Sequence, residues 1–444
     1  MPTRVVDPRR RSLREMAFSV VASDMAFFCT IVFLCFFSEA LTSPVLAPYF
    51  LHPHIHPHIL PGSTVALRAF ILGGALSLYR FGEFAGSPIL GHLSDCIGRK
   101  PVALFMFAAI AFGHLIGAYA LHERIVDLLL VSQYVIGFFS VLLVLVFSEI
   151  ARRQEGAEKT QAFGWVYLST SLAFVFGPYL GGHLVDGIFS DTVNYARPYL
   201  AAAAINLLVC VLVVFFFPTK GPVERKSERF DPFEGFVDIM RVAAHRSLRR
   251  LLLVNFLLYL SIDFVFHFCF IYFVRVWSFN SAMTGEFQSV LSVAMVLTQA
   301  VVIKPLAMRH SRRRVTRAAA FGLSLMLLIV VLPQDYFWLY FIMPCVGVMM
   351  ALATTNMSVL ISDSVEHDIQ GRVMGVAHSA RVLGSALLSL IGGVLVGISP
   401  KLPILVGATA AFLAAMFLGS RRYRPMAAES VSSELSPSGS AVER

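Results

Sequence analysis

Five ionisable side chains interrupt otherwise apolar runs of this sequence. Glu39 stands in "FLCFFSEALT", Arg80 and Glu83 share "YRFGEF", and Asp263 and His267 share "IDFVFHF". On a helix, positions three and four apart lie on one face, so each of these pairs points the same way. An acid held away from water can bind and release a proton in the neutral range, which is the chemistry a proton-coupled carrier needs. Glu39 and Asp263 are therefore candidate substrate or proton sites, and His267 joins them through its spacing. Arg80 with Glu83 is either a neutralised structural ion pair or part of the same site. Arg381, one turn beyond His378, either binds an anionic group or snorkels toward water.

A second constellation is "LHPHIHPHIL", with His52, His54, His56 and His58 at alternate positions. Pro53 and Pro57 push the preceding residues into extended backbone, where alternate side chains share a side. His54, His56 and His58 could then meet one zinc or copper ion. No carboxylate or cysteine supports them locally, so the expected reading is a stiff loop with pH-dependent charge and no metal centre. The chain has no phosphate-binding glycine loop, no Ser/His/Asp set and no His-Glu-x-x-His helix, and neither an enzyme nor a cofactor is expected.

These groups must be positioned inside a membrane. Hydrophobic residues make up 57% of the 444, charged residues only 14%, and the mean hydropathy is +0.73. Twelve apolar runs, from Met25 to Leu418, are each long enough to cross a hydrocarbon layer of ~30 Å as a helix. The first is read as a retained helix, because it is too long for a signal peptide and lacks a good cleavage site. The 36 Lys and Arg fall almost entirely in the loops of one side, the other side holding Arg124, Arg197, Arg275 and Lys401. By the positive-inside rule both termini are cytoplasmic, in a plasma (inner) membrane. The net charge of +9 thus reports topology and attraction to lipid head groups, not a nucleic-acid surface. The six cysteines show no metal or redox spacing and read as small apolar residues.

The chain divides into residues 1–217 with six spans, a charged linker 218–250, residues 251–420 with six more, and a disordered tail 421–444. Part of the linker, Phe233 to Leu248, has the pattern of an amphipathic surface helix. The halves repeat: Gly164, Ala173, Gly177, Pro178, Gly181 and Gly182 around span 5 recur at one offset as Gly375, Gly384, Leu388, Ser389, Gly392 and Gly393 around span 11. Arg99 and Lys100 after span 2 likewise fall on Arg312 and Arg313 after span 8. The expected fold is all-α, with twelve transmembrane helices in two pseudo-symmetric six-helix halves.

"GHLSDCIGRKP", Gly91 to Pro101, resembles the loop signature of the major facilitator superfamily, and "GWVYLSTSLAFVFGPYLGG", Gly164 to Gly182, resembles the fifth-helix signature of its drug:proton antiporters. The resemblance spans roughly residues 25 to 420. It implies a conformational latch built from Gly91, Asp95, Gly98, Arg99 and Lys100, with Asp95 meeting the start of span 11 near Gly371 and Val373. Glu149, at the end of span 4, is a candidate acid for the basic pair. It also puts span 5 at the interface of the halves, packed through Gly164, Gly177, Gly181 and Gly182 and kinked at Pro178. The sequence departs from the pattern in span 4, where Gln133 precedes Gly137 in place of the antiporters' arginine. The function implied is secondary active transport of a small organic molecule by a monomer, with proton-coupled efflux ahead of uptake of a metabolite or metal chelate. A membrane-embedded receptor or enzyme is the alternative of a different class.

Overall fold

The computed structural model describes residues 8–53, 60, 62–142, 146, 156–186, 192–217, 246–364 and 367–419. Among them there is no strand. The N-terminal half contains α1 (Pro8–Thr42), α2 (Leu46–Leu51), α3 (Val65–Ile97), α4 (Arg99–Glu123), α5 (Val126–Phe139), α6 (Gly156–Asp186) and α7 (Arg197–Phe216). The C-terminal half contains α8 (Arg246–Asp263), α9 (Phe270–Trp277), α10 (Ser281–Leu297), α11 (Ile303–Arg309), α12 (Arg312–Val330), α13 (Leu339–Ser362), α14 (His367–Ile398) and α15 (Leu402–Gly419). Helix thus occupies all twelve expected spans, although α5 is the only described helix of span 4. Nine stretches of described helix are long and apolar enough to cross a membrane. His54, His56, His58, Glu149, most of the linker and the tail lie outside the described residues.

Local chemistry explains where the helices stop. Thr64 caps α3 by accepting the N–H of Leu67 at 3.2 Å, and Asn280 caps α10 by accepting that of Met283 at 2.9 Å. The first span breaks at Ser43–Val45, where Pro44 cannot donate a helical hydrogen bond, and resumes as α2. Gly98 joins α3 to α4 at φ 97°, a conformation that L side chains rarely adopt, which accounts for glycine in the signature loop. Two spans contain π-helical turns: Phe264–Cys269 between α8 and α9, and Thr298–Val302 between α10 and α11. Such turns recur at functional positions, and the first begins immediately after Asp263 and contains His267.

The halves meet through α3 against α14 and through α6 against α10. Helix α3 runs antiparallel to α14, so the Val65 end of the first lies beside the Ile398 end of the second. At that end of the bundle, a Cβ on Gly73 would lie 2.7 Å from the Ser389 carbonyl, and one on Gly397 would lie 3.0 Å from Ala66 Cβ. Ser77 donates to the Ala386 carbonyl at 2.7 Å. In α6, Gly182 abuts the Ser281 backbone, and Gly285 of α10 abuts the Pro178 carbonyl. Close backbone approach through small residues is how helices associate where burial against lipid gains little. At the end carrying the basic loops, a Cβ on Gly91, Gly164 or Gly375 would have nothing within 4 Å. The halves are thus sealed together at the end away from the basic loops. Of the glycines expected to pack span 5 at the interface of the halves, Gly182 meets the other half, Gly177 and Gly181 pack on Ala40 and Leu41 of α1 in their own half, and a Cβ on Gly164 would meet nothing within 4 Å.

Candidate functional site

The mid-depth ionisable groups converge between the two halves. Tyr79 donates its hydroxyl to Glu39 Oε1 at 2.7 Å, linking α1 to α3. Arg80 donates Nη1–H to Glu83 Oε2 at 2.7 Å, and its guanidinium carbon stands 5.3 Å from the Tyr79 ring centroid. Arg80 also lies within electrostatic range of Asp263 and Glu39, so the acids of both halves surround one cation. Its Nε is buried with no hydrogen-bond acceptor, a cost that an incoming polar group would relieve.

From the other half, His378 approaches Glu83 Oε1 through Nε2 at 3.8 Å, and Arg381 approaches His378 Nδ1 at 3.1 Å. A guanidinium only donates, so Nδ1 accepts and Nε2 carries the proton that faces Glu83. Arg381 also lies over the Tyr259 ring of α8, 4.9 Å from its centroid. Helix α14 starts at His367, several residues before the expected Val373, which places Arg381 about 20 Å along it, near mid-depth. Arg381 is half-buried there, held by His378 and the Tyr259 ring. His267 contacts the Asp263 carbonyl through Nδ1 at 3.0 Å, which leaves Nε2 as an acceptor when the ring is neutral.

Gln133 does not join this cluster. It is buried and donates to the Tyr199 hydroxyl of α7 at 2.8 Å, inside the N-terminal half. An amide suits that place because Tyr199, 1% exposed, needs a buried partner for its oxygen.

At the basic end, Lys100 Nζ donates to the Val214 carbonyl near the end of α7 at 2.8 Å. Arg313 Nε donates to Leu418 near the end of α15, also at 2.8 Å. The repeat that aligned Lys100 with Arg313 therefore has a shared purpose: each cation satisfies the carbonyls at the C-terminus of its half's last helix. Arg312 forms an ion pair with Asp363 at the end of α13. Glu149, the candidate acid for Arg99 and Lys100, and the Asp95 side chain lie outside the described residues.

The sealed end carries a network that sequence reasoning missed. Asp186 Oδ2 accepts the N–H of Ala282 in the first turn of α10 at 2.7 Å. His183 Nε2 lies 3.3 Å from Glu286 Oε1. Ser43 donates to Gln288 Oε1 at 2.6 Å, and His52 Nε2 lies 3.0 Å from the Ser278 carbonyl. The N–H of Tyr179, next to Pro178, donates to Ser289 Oγ at 3.1 Å. All five contacts join one half to the other. The only sequence signal was the end of a glycine-rich helix carrying "GGHLVD", which says nothing of which helix it faces.

Residues 28–303 and 251–439 each match the family model described as Major Facilitator Superfamily. Hippocampus abundant transcript-like protein 1 of Mus musculus is 25% identical over 378 residues, covering 80% of this chain and 68% of that protein. Tetracycline resistance protein, class G, of Vibrio anguillarum is 27% identical over 339 residues, covering 75% of this chain and 81% of that protein. The structure of the human organic anion transporter MFSD10 (TETRAN) superposes with a TM-score of 0.64 at 18% identity, over 89% of this chain and 99% of that one. The D-xylose-proton symporter gives 0.69 at 13% identity, over 90% and 97%. At these identities the solved structures establish a shared fold.

Proposed function

Because this chain belongs to the major facilitator superfamily, and is therefore a multi-pass secondary transporter and not an enzyme, we propose that it exports a small amphipathic organic solute in exchange for protons. The observation that supports this reading is the position of Glu39, Tyr79, Arg80, Glu83 and Asp263 between the two halves, away from the contacts that seal one end. A site there is exposed to one side at a time when two rigid halves rock against each other. With the basic loops and both termini in the cytoplasm of a plasma-membrane protein, the sealed end is the outer one and the described conformation opens inward. Residues 1–217 and 251–420 are then the two moving bodies, and the 218–250 linker tethers them.

Glu39 and Asp263 take up protons in turn with solute, and Arg80 sets their affinity by its proximity. This assigns to Arg80 the fixed positive charge that span 4 lacks at Gln133. The latch around Gly91, Asp95, Gly98, Arg99 and Lys100 closes the inner side when the outer side opens, with Asp95 meeting the positive N-terminal end of α14.

The experiment is flux in proteoliposomes containing purified protein, with and without a pH gradient. A polycyclic amphipathic probe such as tetracycline, by which one relative is named, is tried first. Gradient-driven flux that disappears in Glu39→Gln and in Asp263→Asn is the expected result. Wild-type rates in both variants overturn the site, and flux indifferent to the gradient overturns proton coupling.

A further inference from the structure

Two histidines stand at the outer seal, and their surroundings differ in one respect that decides their chemistry. The contact of His52 with the Ser278 carbonyl needs one N–H, which a neutral imidazole supplies. His183 faces an acceptor at each nitrogen: the Tyr179 carbonyl lies 2.9 Å from Nδ1, and Glu286 Oε1 lies 3.3 Å from Nε2. A carbonyl can only accept, so Nδ1 carries a hydrogen. A neutral ring would then turn a lone pair toward an ionised carboxylate, and the two would repel. The pair attracts only if it holds one more proton than a neutral imidazole and a separate carboxylate hold together.

We infer that His183 and Glu286 form a proton-binding site at the outer gate, filled when the gate is closed and emptied when it opens. The inference rests on the alternating-access reading for the word gate, but not on proton-coupled flux or on the mid-depth acids. His183 belongs to α6 and Glu286 to α10, the helices whose backbones meet at Gly182 with Ser281 and at Gly285 with Pro178. Outer opening must part these contacts and separate the pair. The side chains retain 25% and 34% exposure, so water at the seal reaches both.

Other titratable groups also face the pair, and the variants below separate them from it. On α6, the Tyr179 ring centroid lies 4.3 Å from that of His183, and Asp186 lies within electrostatic range of it. Asp186 accepts the Ala282 N–H as an acceptor and needs no proton to do so. His52, beyond α2, acts on Asp186, and Tyr340 of α13 with Tyr336 before it lies near Glu286. These groups set the strength of the seal without requiring a proton for their contacts. Closure therefore takes up a proton at His183 and Glu286, and opening returns it to the outer water.

The test needs no substrate. Fluorophores are placed through unnatural amino acids at positions 123 and 401, the outer ends of α4 and before α15, leaving the six native cysteines intact. Single-molecule energy transfer in lipid nanodiscs then reads the closed-to-open ratio of the outer gate against pH. One linked proton lets that ratio rise on acidification by at most about tenfold per pH unit. The slope is expected to vanish in both His183→Gln and Glu286→Gln, and to persist in Asp186→Asn and His52→Gln with the ratio itself displaced. A wild-type ratio that ignores pH, a slope that survives in His183→Gln and Glu286→Gln, or a slope abolished by His52→Gln overturns the inference. Failure to find a transported solute leaves this measurement unaffected, so the two readings fail separately.

Discussion

Gly73→Ala isolates the role of the seal from that of the fold. A Cβ at Gly73 would stand 2.7 Å from the Ser389 carbonyl oxygen and 2.8 Å from Gly393 Cα, both on the opposing half. Carbon atoms pack best at about 3.5 to 4.0 Å, so α3 and α14 must separate by roughly 0.7 Å or more to admit the methyl. The atoms in the way are backbone, which cannot swing aside as a side-chain end can. Overpacking of this kind costs about 1 to 3 kcal/mol. The cost falls only on the sealed conformation, because in an outward-open one these backbones part and the methyl is free. The closed-to-open ratio should therefore drop by about 5- to 150-fold. The neighbouring Gly74 is an internal control, since a Cβ there meets nothing within 4 Å. Gly74→Ala should leave the ratio unchanged and raise helix stability by up to about 1 kcal/mol. Energy transfer between the outer labels at 123 and 401 measures both variants. Equal ratios in Gly73→Ala, Gly74→Ala and wild type would refute the assignment of these contacts to a breakable seal. A large loss of Tm in Gly73→Ala with no change of ratio would make the contact structural.

Other perturbations address the remaining contacts. Tyr79→Phe removes a 2.7 Å hydrogen bond to a carboxylate, a contact worth about 1.5 to 3 kcal/mol, and should shift the pH profile of gradient-driven flux without preventing assembly. Gln133→Leu strands the buried Tyr199 hydroxyl at a cost of about 1 to 3 kcal/mol; its signature is a lowered Tm with the pH profile unchanged, whereas an altered profile would return Gln133 to the coupling site. Lys100→Met removes the cation from the end of α7 and should cost about 0.3 to 1 kcal/mol, read as Tm, and Arg313→Met should cost a similar amount at α15. Gly98→Ala forces a side chain into φ 97° and should slow transport more than Gly91→Ala, whose Cβ has open space.

The repeat visible in the sequence carried further than any single motif. Gly182 and Gly393 occupy equivalent positions, and each packs backbone to backbone against the other half, one on α10 and the other on α3. Gly181 and Gly392 face span 1 and span 7 of their own halves, and Gly164 and Gly375 both stand in open space. The one offset therefore encodes three environments, but it does not say which glycine takes which. That depends on helix rotation, and an apolar helix with small residues on several faces has no pattern from which to read it. Of the four span 5 glycines only Gly182 meets the other half, and the repeat alone could not single it out.

What the sequence determined by itself was what a bilayer imposes one residue at a time: the apolar helical spans and the groups too costly to face lipid. Arg80 with Glu83 and Asp263 with His267 were legible because helical spacing fixes their faces before any packing occurs. Only tertiary structure decided what those faces meet. It turned Gln133 toward Tyr199, set Arg381 over Tyr259, made Lys100 and Arg313 equivalent caps, and brought His183 to Glu286 and Asp186 to Ala282. Partners in different halves are joined only by the rigid-body closure of one half on the other, and that geometry has no local trace in the chain.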